Sequence, residues 1–404
     1  MHSTTTGKNA ASENAAGFDW WLLLSAGALL YIGMMMITSA STQVGEVKLD
    51  NPFYYFSRHA VFMVLGLVAA VIVSRVKISW WFDSGWFLLF TSLALLIAVL
   101  VVGREVNGST RWIRLGPVNI QPSEIAKIFL IGYLAGYLVR RQDEVRDSWW
   151  GFFKPIAVMF IAAILLLIEP DFGATVVIVA ASLGMIFLSG AKLGKFLVLI
   201  LVCLALGTLL IIWKPYRLKR LIAYTDPWAD QFDTGYQLTQ SLIAFGRGEW
   251  TGLGLGQSIQ KLMFLPEAHT DFVYAIIAEE FGFIGAASVV VLFSVLVFRG
   301  MRIGANAEKA GQLYSALFAY GISLLIGIQA FINIGVNTGL LPTKGLTLPL
   351  VSYGGSSLVM SCIAIGILYR IDKESRWAKA AESADESRQT KSKYKRTAGP
   401  AIYG

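Results

Sequence analysis

A carboxylate stands at the threshold of a long apolar run in Leu265-Pro266-Glu267-Ala268-His269-Thr270-Asp271, just ahead of Phe272. Asp271 therefore lies where a polar loop meets low dielectric. One reading is a helix N-cap, because a short acid readily accepts a first-turn amide. A cap, however, needs neither Glu267 and His269 close by nor the acid pair Glu279/Glu280 within the same run. The second reading is a base: partial desolvation raises a carboxylate's proton affinity and suits it to take a proton from a sugar hydroxyl. A cation nearby would keep such an acid ionised.

The cation that the sequence offers is Lys127, in Gln121-Pro122-Ser123-Glu124-Ile125-Ala126-Lys127. Pro122 suits the first position of a helix, and the i,i+3 spacing sets Glu124 and Lys127 on one face. The pair is either a structural ion pair or a lysine held by its carboxylate for an anionic ligand. A third group, Asn333, Asn337, Thr338, Pro342, Lys344 and Ser352-Tyr353-Gly354-Gly355-Ser356-Ser357, crosses between two apolar runs. Small and hydroxylic residues there can pack helices closely or line a broken-helix cavity, and the pattern leaves both open. Gly252-Leu253-Gly254-Leu255-Gly256 follows no strand and is not read as a nucleotide loop.

These residues need a scaffold, and composition supplies its class. The chain has 404 residues, 55% hydrophobic and 15% charged, whereas a soluble domain averages about 25% charged. A water-soluble globular protein is excluded. Apolar runs long enough to cross a bilayer core of about 30 Å recur from Trp20 to Arg370. The expectation is an all-α polytopic membrane protein of ten transmembrane helices, near 19–39, 56–74, 81–102, 123–140, 155–169, 172–190, 195–212, 272–298, 311–336 and 350–370. Tryptophans at the ends of runs, as at Trp20/Trp21, Trp80/Trp81, Trp149/Trp150 and Trp213, fit interfacial anchors.

Orientation follows from the short loops. Of the 34 Lys and Arg, most fall inside if both termini are cytoplasmic, as the positive-inside bias requires. Residues 1–18 then form a cytoplasmic tail without a cleavable signal peptide, 19–370 the membrane domain, and 371–404 a basic cytoplasmic tail expected to be solvated and disordered. Two long segments fall outside: Gly103–Pro122, and a large loop at 213–271 between helices 7 and 8. Arg58, Arg104, Arg111, Arg114, Lys214, Arg217, Lys219 and Arg220 run against the bias on that side. Arg and Lys clamps suit a pyrophosphate, and a lipid pyrophosphate brings its own leaving group, which agrees with the lack of a Walker-type ATP loop. The net charge of +8 fits anionic lipid and calls for no nucleic acid. Cys203 and Cys362 fall within apolar runs and read as small core residues.

At these residues the sequence resembles the SEDS family, the polytopic peptidoglycan glycosyltransferases of shape, elongation, division and sporulation. The resemblance covers about residues 20 to 372 and rests on four motifs. They are Gly108-Ser-Thr-Arg111-Trp112-Ile113-Arg-Leu115-Gly116 with Gln121–Lys127; Pro170-Asp171-Phe172-Gly173; Gly252–Ser258 with Lys261 and Leu265–Asp271; and Leu341-Pro342-Thr-Lys344-Gly345 through Pro349 to Ser357. The stretch from Asn337 to Pro349 resembles the division branch more than the elongation branch. Glu169 and His59 depart from it, since glutamine is frequent at both places.

The resemblance implies polymerisation of lipid II on the outer, periplasmic face of the bacterial inner membrane, at the division septum, with release of undecaprenyl pyrophosphate. Asp271 maps onto the family's catalytic aspartate. Lys127, oriented by Glu124, would bind or stabilise pyrophosphate, with Arg111, Arg58 and Lys344 as further cations and Glu267, His269 and Ser352 within the same motifs. No metal site is implied, although a divalent cation, Mg or Mn, could ride on the pyrophosphate. Implied partners are lipid II and the undecaprenyl-pyrophosphate-linked glycan, a class B penicillin-binding transpeptidase (FtsI) and other divisome proteins. A lipid II flippase and a noncatalytic divisome scaffold are the rival readings.

Overall fold

A computed structural model describes residues 17–106, 109–116, 118–212 and 224–397. An apolar run in hydrocarbon must satisfy its own backbone, so helix is its only open-ended solution. The helices follow as α1 (Trp20–Leu49), α2 (Tyr54–Val73), a short α3 (Ile78–Asp83), α4 (Gly85–Val102), α5 (Pro122–Arg140), a short α6 (Gln142–Asp147), α7 (Trp149–Ile168), α8 (Phe172–Leu188) and α9 (Leu193–Ile212). Then come α10 (Tyr236–Gly248), a π-type turn at Gln260–Phe264, α11 (Val273–Lys309), α12 (Leu313–Asn337) and α13 (Gly355–Thr397). Eight of these are long and apolar enough to cross a membrane, namely α1, α2, α4, α5, α7, α11, α12 and the first part of α13. The apolar helix α8 and the stretch Leu193–Leu209 of α9 are shorter than that among the described residues.

The fold is the expected helical one, to which one small element is added, and two expectations need correction. Arg104–Val106, Ser109–Leu115 and Val118–Ile120 form an antiparallel three-stranded sheet, β1-β2-β3. Ile113 pairs with Ile120 and Leu115 with Val118, so short β-branched and apolar stretches find each other across the turn at Gly116. The run at 272–298 continues as helix to Lys309, because Arg299, Met301, Arg302, Ala305, Ala307, Glu308 and Lys309 favour helix, despite Gly300 and Gly304, in a way that hydropathy alone does not register. The tail does not begin as disorder at 371, because α13 runs on to Thr397. Arg370 pairs with Glu374 at 2.7 Å and Arg376 with Asp372 at 2.9 Å, both i,i+4.

The helices α5 and α12 lie in the middle of the bundle, buried along most of their length, whereas α2 is covered on one side only. Its free side shows Val64, Val68, Val71 and Ile72, as a lipid-facing helix should. Cys362 of α13 packs on Gly66 of α2, which confirms its reading as a small core residue. At the end of the bundle that carries the amino terminus of α1, basic residues find local partners. Lys195 donates to the carbonyls of Val145, Arg146 and Ser148 at 2.8–3.3 Å, and Arg299 clasps Asp19. The sheet, α10 and every candidate site residue lie at the opposite, loop-rich end.

Between α9 and α11 the long loop is fastened to the helices. Glu280 accepts from Lys261 at 2.9 Å and from Ser39 of α1 at 2.6 Å. Glu279 accepts from Ser258, from the amides of Ile259 and Gln260, and from Arg247 at 3.2 Å. The acids that could have marked a transmembrane ion path therefore anchor the loop. Just beyond them α11 breaks at Gly282, whose φ of 66° only glycine tolerates easily, and whose backbone rests on that of Gly252.

Candidate active site

A cavity of about 1150 Å³ opens among the sheet, the starts of α2, α5 and α8, the segment before α11, and the crossing from α12 to α13. Both signs of charge face it: Arg58, Arg111, Arg114 and Lys344 against Glu124, Asp171, Glu267 and Asp271. Segregated apolar runs thus deliver a polar, partly desolvated chamber at one end of the bundle. Charge placed there is worth more than in water.

Asp271 precedes α11 by one turn's entry, with Phe272 at the cap position. It is not the helix cap that one reading of the sequence allowed. Its backbone carbonyl accepts from Asn333 at 2.8 Å and from Asn337 at 2.9 Å. The carboxylate lies over Gly345, so near that a Cβ built there would be 2.8 Å from Oδ2. Burial, then the charge of Glu267, push its pKa up to about 7, with Arg111 pulling it down and Asp171 adding to the rise. It is half-buried by exposed area, open to the cavity on one side. Arg111 thus favours the ionised form of Asp271, whereas Lys127, the cation singled out in the sequence, is engaged by Glu124 and Gln329.

Glu267 sits at φ 59°, and its carbonyl closes a turn by accepting from the amides of Thr270 and Phe272. Its carboxylate accepts from the Thr270 hydroxyl at 2.7 Å. His269 lies tilted between Tyr55 and Tyr353, ring centroids 4.7 and 5.8 Å away, and its carbonyl accepts from the Tyr353 amide. Burial, opposed by the charge of Glu267 and helped by that of Lys48, lowers its pKa. Ser352 is structural: its Oγ accepts from the Leu348 amide at 2.8 Å within a buried turn.

The basic side chains are individually held. Arg111, on β2, donates to the Pro170 carbonyl. Arg58 donates to the Tyr54 hydroxyl at 2.6 Å and lies over its ring, and Lys344 sits 4.3 Å from the centre of the Phe172 ring. Lys127 is almost fully buried behind the wall, bonded to Glu124 at 2.8 Å and to Gln329 of α12 at 2.6 Å. Glu124 lines the cavity and Lys127 backs it. The pair seen in the sequence exists, with a third partner that local spacing cannot reveal. Lys214, Arg217, Lys219 and Arg220 lie outside the described residues, as do the side chain of Arg104 and the tail before residue 17.

Two acids gain importance. Asp171 caps α8 by accepting from the Ala174 amide, and also accepts from Ser123 at 3.1 Å and Gln121 at 3.3 Å, tying α8 to α5. Glu169 is fully buried with neither carboxylate oxygen bonded among the described residues, and burial plus Asp171 push its pKa up to about 8. Gln329 and Tyr55 were not singled out from the sequence. The signal for Gln329 was present, an amide four and eight residues before Asn333 and Asn337 in an otherwise apolar run.

Comparison with known proteins agrees with this arrangement. A family described as cell cycle protein, grouping FtsW, RodA and SpoVE, matches residues 20–377. The probable peptidoglycan glycosyltransferase FtsW of Hahella chejuensis is 56% identical over 377 residues, 93% of this chain and 94% of that protein. That of Marinobacter nauticus is 56% identical over 383 residues, 95% and 94% of the two chains. Among solved structures, a chain from a peptidoglycan synthase complex that coordinates polymerization and crosslinking has a TM-score of 0.73 at 28% identity, covering 89% of this chain and 99% of that one. The rod shape determining protein RodA of Thermus thermophilus has a TM-score of 0.66 at 28% identity, covering 89% and 98%.

Proposed function

The chain belongs to the FtsW/RodA/SpoVE family of cell cycle proteins, and from that premise we propose that it is a peptidoglycan glycosyltransferase of the FtsW type, polymerising lipid II for the division septum. The observation that carries the reading is Asp271, held by its own carbonyl, with its carboxylate bared to a cavity that Arg58, Arg111 and Lys344 also face. The acceptor's 4-hydroxyl attacks the anomeric carbon of the growing glycan, and its proton passes to Asp271. The bond from that carbon to the pyrophosphate oxygen breaks, and undecaprenyl pyrophosphate leaves with the electron pair. A base whose pKa stands near 7 matches the working pH. Preplaced cations stabilise the departing charge without reorganising.

Arg111 is suited to two tasks, keeping Asp271 ionisable and meeting pyrophosphate. Lys127 acts at one remove, fixing Glu124 in the wall. Among the described residues no three His, Cys, Asp or Glu side chains converge as a metal cage. A divalent cation, Mg or Mn, would be carried on the substrate's pyrophosphate and would neutralise its charge. The eight long helices together with α8 and α9 make ten spans, both termini cytoplasmic, with the cavity on the periplasmic face of the inner membrane. A class B transpeptidase (FtsI) is the partner, alongside other divisome proteins.

The test incubates the purified protein and its transpeptidase with lipid II and resolves glycan strands on a gel. Polymer from the native protein and none from Asp271→Ala is the expected result. Polymer that survives Asp271→Ala removes the base assignment. Lipid II crossing vesicle membranes with no polymer formed would replace the enzyme with a flippase.

A further inference from the structure

In α12 three amides recur at a spacing of four, Gln329, Asn333 and Asn337, all buried within a helix otherwise built of apolar and small residues. A spacing of four keeps them on one face, a stripe about 12 Å long at 1.5 Å per residue. Buried amides in a membrane span are costly unless every group is used. Here each one is used, toward the start of α11, the 346–347 segment and Lys127 of α5.

At the end of the stripe nearest the cavity, Asn337 donates to the Asp271 carbonyl at 2.9 Å while its Oδ1 accepts from the Ala275 amide at 3.1 Å. Ala275 lies in the first turn of α11, and its amide is shared between Asn337 Oδ1 and the Phe272 carbonyl at 3.0 Å. One side chain thus caps α11 from outside and grips the residue that precedes it. Asn333 donates to the same Asp271 carbonyl at 2.8 Å and to the Leu346 carbonyl at 2.5 Å. Two donors on one carbonyl occupy both its lone pairs and set the plane of the peptide after Asp271, and with it the direction of the Cα–Cβ bond. Gln329 donates to the Thr347 carbonyl at 3.0 Å and accepts from Lys127 at 2.6 Å. The segment bearing Lys344 and Gly345 is therefore pinned at its next two residues, directly under the Asp271 carboxylate.

We propose that the amide stripe of α12 is a positioning device for the transferase site, in which Asn333 and Asn337 aim Asp271, and Asn333 and Gln329 hold the 344–347 segment against it. The inference rests on Asp271 being the base. It adds that the base is aimed by a helix contributing nothing else to the chemistry. Close packing alone would be served by Ala, Ser or Gly at these places. It would not require two donors on one carbonyl.

The experiment measures lipid II polymerisation by the full-length protein with its transpeptidase, for Asn333→Ala and Asn337→Ala. Thermal stability in detergent and lipid II binding are measured in parallel. Phe331→Ala, which removes an exposed ring from the same helix, is the control expected to keep native turnover. A misaimed base loses rate on the order of 10²-fold. The expected result is that loss in kcat, with KM for lipid II within about twofold.

Asn337→Asp separates the two jobs of that residue, because it keeps an acceptor for Ala275 but loses the donor to Asp271. It is expected to remain slow if aiming matters, and recovery of native turnover by Asn337→Asp would overturn the proposal. So would native kcat in both alanine variants, or a raised KM with kcat unchanged. Should the alanine variants fail to fold, Asn333→Ser and Asn337→Ser retain polarity without reaching the carbonyl and carry the same expectations. Activity surviving in Asp271→Asn would instead defeat the base assignment, an outcome distinct from full activity in the stripe variants beside an inactive Asp271→Asn.

Discussion

Gly345→Ala is a small change aimed at one oxygen. The new methyl would stand 2.8 Å from Asp271 Oδ2, whereas ordinary contact begins near 3.4 Å, so the carboxylate must retreat by about 0.6 Å. The atom it strikes is the tip of a side chain, and Gly345 is exposed, so the fold yields without repacking. Replacing a glycine whose φ is not left-handed also trims unfolded-chain entropy, worth about 0.4–1 kcal/mol in favour of the variant. Catalysis has no such slack: displacement near 1 Å from a productive geometry costs on the order of 10²-fold, about 2.7 kcal/mol in the barrier. The assay is steady-state glycan synthesis from lipid II beside a thermal melt of the same preparation. We expect kcat to drop by one to two decades (roughly 10- to 100-fold), with KM nearly unchanged and Tm equal or slightly higher. Native kcat in Gly345→Ala, or a loss of activity that merely follows a loss of Tm, would refute the argument that the Asp271 carboxylate works from above this glycine.

Other expectations follow from the same geometry. Activity should rise with pH through about 7 as Asp271 gives up its proton. Arg111→Ala, which removes the one lowering influence, should move that midpoint up, and Glu267→Gln should move it down, read from kcat/KM against pH. Since Asp271 is raised from 3.8 to about 7, its ionisation opposes folding increasingly across that window. Asp271→Asn should therefore gain Tm relative to the native protein between pH 4 and 7, and no further above it. Lys127→Met leaves the buried Glu124 carboxylate uncompensated and should cost about 3–5 kcal/mol of stability. Adding Glu124→Gln should recover most of it, as chemical denaturation of the detergent-solubilised protein would report.

The parts that were legible in the sequence are those that local pattern encodes. Apolar runs located the helices, since hydrocarbon length is written directly in composition, and the loop-to-helix step at Asp271 marked one of the acids that face the cavity. Helix ends were legible only where apolarity and helicity coincide. They part company at Arg299–Lys309 and after Arg370, where charged helix formers carry α11 and α13 onward. The pairing of Glu124 with Lys127 was readable from i,i+3 spacing, but the direction in which the pair points was not. That depends on Gln329, more than two hundred residues away along the chain. For the same reason the influence of Arg111 on Asp271 was not readable: a strand in one loop meets a helix start in another, and no periodicity records the meeting.

The meeting of Gly252 with Gly282 bears on how this protein can vary. Each glycine adopts a left-handed backbone, and a methyl on either would run into main-chain atoms of the other's segment. Shrinking a neighbouring side chain cannot relieve a collision with a peptide group, so neither position has a compensating partner, and changing both compounds the fault. Gly248 is held likewise against the Ala278 carbonyl. The loop from 248 to 264 and the first turns of α11 thus fit each other as one block. A chimera that exchanges the loop between relatives should function when residues 278–282 travel with it, and should misassemble when the graft boundary falls between them.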